Sequence, residues 1–139
     1  MSASQAAIPV IYPALRYRDA VAAIAWLQEA FGLEKGLVVE NPDGTLAHAE
    51  LWLGPCCVML GSVHKDADGN IPTPPADPGA WFSIYFAIED VDAHHAKARA
   101  AGAEITAEPH TTEYSPRQYV AKDLEGYTWS FGAYRAERS

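Results

Sequence analysis

Cysteine is almost absent from these 139 residues, and the only two, Cys56 and Cys57, are neighbours. Successive side chains of a strand point to opposite faces, so this pair is badly placed for an ordinary disulfide. With no third cysteine, neither a disulfide framework nor a cysteine-rich zinc site is available. Long apolar runs are also missing. No stretch approaches the roughly 18 residues that would argue a transmembrane helix, and Met1 to Ala7 lacks the basic region and long apolar run of a secretory signal. A cytoplasmic protein with no membrane partner is the expectation. Basic residues are few: 10 Lys and Arg against 18 Asp and Glu give a formal net charge of −8. They are scattered rather than clustered, which makes nucleic acid a poor partner. The acidic balance favours cationic ligands, or simply keeps the chain soluble. No nucleophile motif, phosphate-binding glycine loop or dinucleotide fingerprint occurs, which removes the common transferase, nucleotidase and dehydrogenase readings.

What is present reads as one domain over residues 1–139, long enough to bury a core without metal or disulfide. Ile8 to Tyr17 is rich in β-branched and aromatic residues, and Asp19 stands at a helix N-cap position. Val21, Ile24, Leu27 and Phe31 form one apolar stripe of a helix from about Ala20 to Phe31, which Gly32 ends. Leu37 to Glu40 reads as a short strand, followed by the turn residues Asn41-Pro42-Asp43-Gly44. Leu46 to Leu53 alternates, with His48, Glu50 and Trp52 on one face and Ala47, Ala49, Leu51 and Leu53 on the other. Cys56 to Leu60 makes the next strand. Residues 63–79 are rich in proline, aspartate and glycine and read as a linker.

The pattern then restarts. A strand from Trp81 to Ile88 leads through Glu89-Asp90 into a helix from about Val91 to Ala101, closed by Gly102. Ile105 to Ala107, Gln118 to Ala121 and Tyr127 to Phe131 are the following strands. The order β-α-β-β-β thus occurs twice, in half-repeats of about 8–62 and 80–135. Trp81, Ile84, Phe86, Ile88, Trp129 and Phe131 are the expected core of the second half.

A tandem βαβββ repeat of this length resembles the vicinal oxygen chelate superfamily, which includes glyoxalase I, extradiol dioxygenases and bleomycin resistance proteins. The local features that carry the resemblance are Leu15-Arg16-Tyr17-Arg18-Asp19, Asp90-Val91-Asp92 and Asp123-Leu124-Glu125-Gly126-Tyr127. It implies an α+β fold whose two repeats form a curved, partly open mixed sheet around a central cavity, with the helices outside. In metal-dependent members, four ligands drawn from His, Glu and Gln occupy cavity-facing places. Those places fall here on Tyr12, Met59, Ser83 and Ser130, a phenol, a thioether and two hydroxyls, which would hold a divalent cation weakly. The chain is therefore most similar to the metal-free, bleomycin-resistance-like type. That similarity implies no cofactor, a homodimer, and metal-independent binding or sequestration of a small, partly aromatic organic molecule. The alternative is a glyoxalase-like lyase or isomerase, or a dioxygenase, with non-standard metal ligands.

Within that plan His48, Glu50 and Trp52 make a candidate wall of the pocket, or else a solvated face. Glu50 is a candidate general base or a partner for a cationic ligand, and His48 with Glu50 offers two metal donors without an evident third. Arg117 and Tyr119, on the seventh strand, are candidates for a carboxylate clamp and a stacking surface, or for a surface ion pair and core packing. Tyr85 stands beside the vacated ligand places. His94 and His95, adjacent on the second helix, point about 100° apart and read as solvated. His64 and His110 fall in expected loops.

Overall fold

Two aspartates begin the two helices. In the computed structural model, which describes residues 8–71 and 82–138, Asp19 accepts a hydrogen bond from Ala22 N at 3.0 Å. Asp90 does the same from Ala93 N at 3.0 Å. Each carboxylate satisfies a backbone donor that the first turn of a helix leaves without a partner. Helix α1 spans Ala20–Phe31 and ends at Gly32, whose φ of 75° is left-handed. Helix α2 spans Val91–Ala100.

The strands are β1 (Ala14–Tyr17), β2 (Glu34–Glu40), β3 (Leu46–Leu53), β4 (Cys56–Ser62), β5 (Ser83–Ala87), β6 (Glu104–His110), β7 (Gln118–Lys122) and β8 (Thr128–Gly132). The expected α+β plan of tandem βαβββ units is therefore present. Each unit builds its own four-stranded open sheet, in the orders β1-β4-β3-β2 and β5-β8-β7-β6. The first strand of each unit pairs parallel with the last, and the remaining pairs are antiparallel. Trp81 and residues 72–79 of the expected linker lie outside the described residues; residues 63–71 contain neither helix nor strand.

Several boundaries differ from those read in the sequence. β1 starts at Ala14 rather than Ile8, because Pro9 and Pro13 have no N–H for a ladder. The last bond on that side runs from Met59 N to Pro13 O, 2.8 Å, so Tyr12 precedes the strand. The edge strands β2 and β6 are longer than expected, and His110 ends β6 instead of lying in a loop. Both contain register shifts, which break the alternation that marks a strand in sequence. One shift pairs Leu46 with Glu40 and His48 with Val39. Leu46 is buried and Ala47 exposed as a result, and the Leu46 N–H is taken by Ser62 Oγ at 2.9 Å.

The helix-facing sides of both sheets and both helices contribute to one buried cluster. Phe31 of α1 reaches across to the second half, its ring 5.4 Å from Trp129 and 4.9 Å from Phe131. The buried stripe of α1 consists of Ala20, Ala23, Ile24, Leu27, Ala30 and Phe31, whereas Val21 is exposed. Ile84, Phe86, Trp129 and Phe131 are core residues as expected, and Ile88 packs against them.

His94 sits between the halves rather than in solvent. Its Nε2 lies 2.9 Å from Phe31 O and its Nδ1 2.6 Å from Tyr119 Oη. A carbonyl only accepts, so Nε2 carries the proton and Nδ1 accepts from the tyrosine. Burial holds the imidazole pKa below its ordinary value against the opposing bond to Phe31 O, and Lys97 adds to the lowering. His95 is also withdrawn from solvent, its side chain 15% exposed and its Nε2 3.1 Å from Glu108 Oε1.

A second junction joins the residues 123–127 to the β1–α1 corner. Asp123, almost fully buried, accepts from Tyr17 Oη at 2.5 Å and Trp129 Nε1 at 3.0 Å. It also accepts from the backbone N–H groups of Glu125 and Tyr127 at 2.9 and 3.1 Å. Burial, then the Asp123 charge, pushes the Tyr17 pKa upward, so the phenol stays a donor. Glu125 accepts from Arg18 N and Asp19 N at 2.7 and 2.9 Å, and Tyr127 Oη donates to Arg16 O at 2.7 Å.

Asp123→Ala leaves a buried hydroxyl and an indole N–H without an acceptor and is expected to cost on the order of 3 kcal/mol. Tyr17→Phe removes one donor of four and is expected to cost about 1 kcal/mol; urea denaturation of both variants checks the ranking. His94 titrates below an unfolded histidine, so its contribution to stability is present at neutral pH and is lost as pH falls from the unfolded value through the folded one. Thermal melts at pH 7.5 and 5.5 should show a smaller acid loss in His94→Gln than in the parent chain.

Candidate functional site

The sheet faces opposite the shared core look outwards, and strand register determines what each presents. In the first sheet Arg16 pairs with Gly61, Met59 with both Ala14 and Glu50, and Trp52 with Cys57. Because Leu15, Tyr17, Ala49, Leu51, Val58 and Leu60 are turned into the core, their neighbours Arg16, His48, Glu50, Trp52 and Met59 share the outer face. The expected grouping of His48, Glu50 and Trp52 is present, and β4 adds Met59 between Glu50 and β1.

His48 Nε2 lies 2.9 Å from Glu50 Oε2, with side chains 34% and 26% exposed. The two are tied to each other and still open to a ligand. Trp52 lies against the strand beside it: a Cβ built at Gly36 would be 2.7 Å from the indole Nε1. Gly36 thus leaves room for the indole, as glycine within a strand does where another group approaches closely. Gly61 has the same relation to Arg16, whose Nη1 would be 2.6 Å from an added Cβ. In the sequence Arg16 reads only as part of the Leu15–Asp19 motif, although its place between Leu15 and Tyr17 assigns it to the outer face.

The second sheet presents Ser83, Tyr85 and Ser130 outwards, with Tyr85 paired to Ser130. Tyr85 Oη donates to Tyr134 O at 2.7 Å and lies over Gly132. Arg117 and Tyr119 do not join them. Tyr119 is fully buried and donates to His94, because period-two alternation puts it on the same side as Ala121. Arg117 precedes β7 and holds Asp92, with Nη2 and Nε at 2.7 and 3.2 Å from its carboxylate. That pairing keeps the Asp92 carboxyl below the ordinary carboxylate range. Both residues belong to the helix side, which corrects their expected place in the pocket.

Each sheet is a separate four-stranded unit, and both turn their helix sides to the same core. Tyr12 and Met59 belong to the first half, Ser83 and Ser130 to the second. This donor set does not fit a divalent metal: it offers no imidazole or carboxylate, and Tyr12 stands outside β1. Among the described residues no three His, Cys, Asp or Glu side chains are grouped to hold a metal ion.

A separate cavity of about 760 Å³ opens between residues 10–13, the β3–β4 turn and β5. The repeat explains its position. In the second half the five residues 123–127 join β7 to β8 and fill the space against the β1–α1 corner. In the first half the equivalent connection is only Gly54-Pro55, and the space against the β5–α2 corner stays open. Its lining includes Leu53, Val58, Ile84, Phe86 and Ile88, with Tyr12 and Tyr85 the only two of the candidate residues.

The sequence profile of the Glyoxalase/Bleomycin resistance protein/Dioxygenase superfamily matches residues 10–131. Uncharacterized protein Mb0911c of Mycobacterium bovis is 33% identical over 125 residues, covering 89% of this chain and 82% of that protein. Putative glyoxylase CFP32 of Mycobacterium tuberculosis is 41% identical over 106 residues, 68% of this chain and 40% of that longer protein. Among solved structures, TioX from Micromonospora sp. ML1 superposes with a TM-score of 0.68 at 28% identity, covering 94% of this chain and 100% of that one. A single-residue mutant of the fosfomycin resistance protein FosX of Listeria monocytogenes, solved with Mn(II) and 1S,2S-dihydroxypropylphosphonic acid, gives 0.69 at 14% identity over 91% of this chain and 93% of that one, which is likeness of fold alone. The match over nearly the whole repeat, in a chain folded as two βαβββ units, means that this protein belongs to the glyoxalase/bleomycin resistance protein/dioxygenase superfamily.

Proposed function

We propose that the protein is a metal-independent binder of a small, partly aromatic organic molecule, acting as a cytoplasmic homodimer in the manner of the bleomycin resistance proteins. Sequestration of an antibiotic is the version that this relationship implies. The observation that carries the reading is the outer face of the first sheet. There an indole backed by Gly36 offers a flat apolar surface, and His48 with Glu50 offers polar groups beside it. Binding sites pair large apolar surface with a few placed polar groups in this way. The four places where metal-dependent relatives hold their ion carry groups unsuited to one, which favours recognition by shape over metal chemistry. In this reading Met59 lines the same face, while Ser83, Tyr85 and Ser130 come from the second sheet of a partner copy and Tyr12 borders the junction.

The dimer is supported by exposed apolar residues beside the two open edges. Ile11 is 91% exposed, Val10 61% and Phe82 49%, while β1 and β5 each pair on one side only. Apolar residues left in water gain by being covered, as they are at interaction sites.

Thermal-shift screening against aromatic organic compounds is expected to give stabilising hits, and Trp52→Ala should weaken them about tenfold through loss of stacking. A uniformly flat screen, or near-stoichiometric transition metal in protein purified without chelator, would overturn the binder reading. Light scattering should give twice the chain mass, with Ile11→Glu shifting the mass towards the monomer; a monomeric parent chain would remove the shared pocket.

A further inference from the structure

We infer that the molecule held on the first sheet's outer face is an aromatic carboxylate, and that Arg16 receives its charged end. This rests on that face being the binding face. The charges of the face are unequally satisfied. Glu50 already has a donor in His48 Nε2, 2.9 Å away. Arg16 has no carboxylate within ion-pair distance among the described residues. Its side chain makes one long hydrogen bond, from Nη1 to Ser62 O at 3.5 Å. Arg16 is therefore the cation of this face without an ion-pair partner, at the opposite side of the sheet from the exposed carboxylate of Glu34, which pairs with Trp52.

The guanidinium is also placed for the task. It crosses from β1 to lie over Gly61 on β4, where a Cβ would come within 2.6 Å of Nη1. A side chain at 61 would lift it off the sheet; glycine lets it lie flat with its outer edge free. A planar fork of N–H donors matches a carboxylate with two parallel bonds. The Trp52 indole lies over β2, against Gly36, two strands and about one side-chain row from the guanidinium. At ~4.8 Å between strands and ~3.3 Å per residue the separation is roughly 12 Å. Two linked aromatic rings ending in a carboxylate span that distance, with one ring on the indole and the oxygens at Arg16.

The test is calorimetric titration of the full chain with biphenyl-4-carboxylate and with biphenyl-4-carboxamide, which share a shape and differ in charge. The acid is expected to bind about tenfold more tightly than the amide. Arg16→Gln should bring the acid down to the amide's level and leave the amide unchanged, and Arg16→Lys should recover part of the difference. Trp52→Ala should weaken both compounds alike. Arg16→Gln keeps the backbone bond from Tyr127 Oη to residue 16, so folding is maintained and the comparison stands. Equal binding of acid and amide by the parent chain, or equal weakening of both by Arg16→Gln, overturns the carboxylate inference and leaves the binder reading standing. If neither biphenyl binds while other aromatic compounds stabilise the chain, the inference also falls alone. If the wider screen is flat as well, both fall.

Discussion

A buried carboxylate joins the two halves of this protein. Asp123 is almost removed from solvent and accepts four hydrogen bonds, from Tyr17, Trp129 and two backbone N–H groups of its own loop. A charge taken out of water is tolerated where its acceptor capacity is used by donors. The arrangement fixes the loop that follows β7. Glu125 and Tyr127 of that loop then hold the backbone of residues 16, 18 and 19. Through these bonds the end of the second sheet determines where β1 stops and α1 begins. His94 makes a comparable link between the helices, tying the carbonyl that ends α1 to a tyrosine of β7.

One consequence is that the helix sides of both sheets are committed to a single core. Phe31, Trp129 and Phe131 pack across the boundary between the repeats, and each outer face is left open. The chain therefore presents two open sheet faces rather than one closed barrel. A second consequence follows from unequal connections. Where the second repeat has the Asp123 loop the first has Gly54-Pro55, and the repeat symmetry breaks into a filled junction and an open cavity.

Much of this was legible in the chain. The capping aspartates, Gly32, the alternation of β3 and the aromatic core of β5 and β8 follow from short-range rules that a sequence states directly. The grouping of His48, Glu50 and Trp52 belonged to the same class, because alternation along one strand is local. The failures have specific causes. Prolines shortened β1 and left Tyr12 outside it, while bulges hid the true extents of β2 and β6. For Tyr119 and Arg117 the sequence leaves a pocket role open beside core packing and a surface ion pair, since a short strand gives few alternating positions from which to choose a face. Arg16, a charged residue between Leu15 and Tyr17, reads as ordinary surface until the glycine beneath it is seen.

By itself the amino-acid order determined the elements, their repetition and the side chains that stand where the family resemblance puts metal ligands. Those properties depend on neighbours a few residues apart, or on side-chain identity alone. Only the tertiary structure decided that Tyr17 meets Asp123 across 106 residues, that His94 is interior, and that the guanidinium of Arg16 lies over Gly61. Such contacts depend on how two sheets pack through a common core, and nothing in the local pattern of either strand specifies which distant residue will lie opposite.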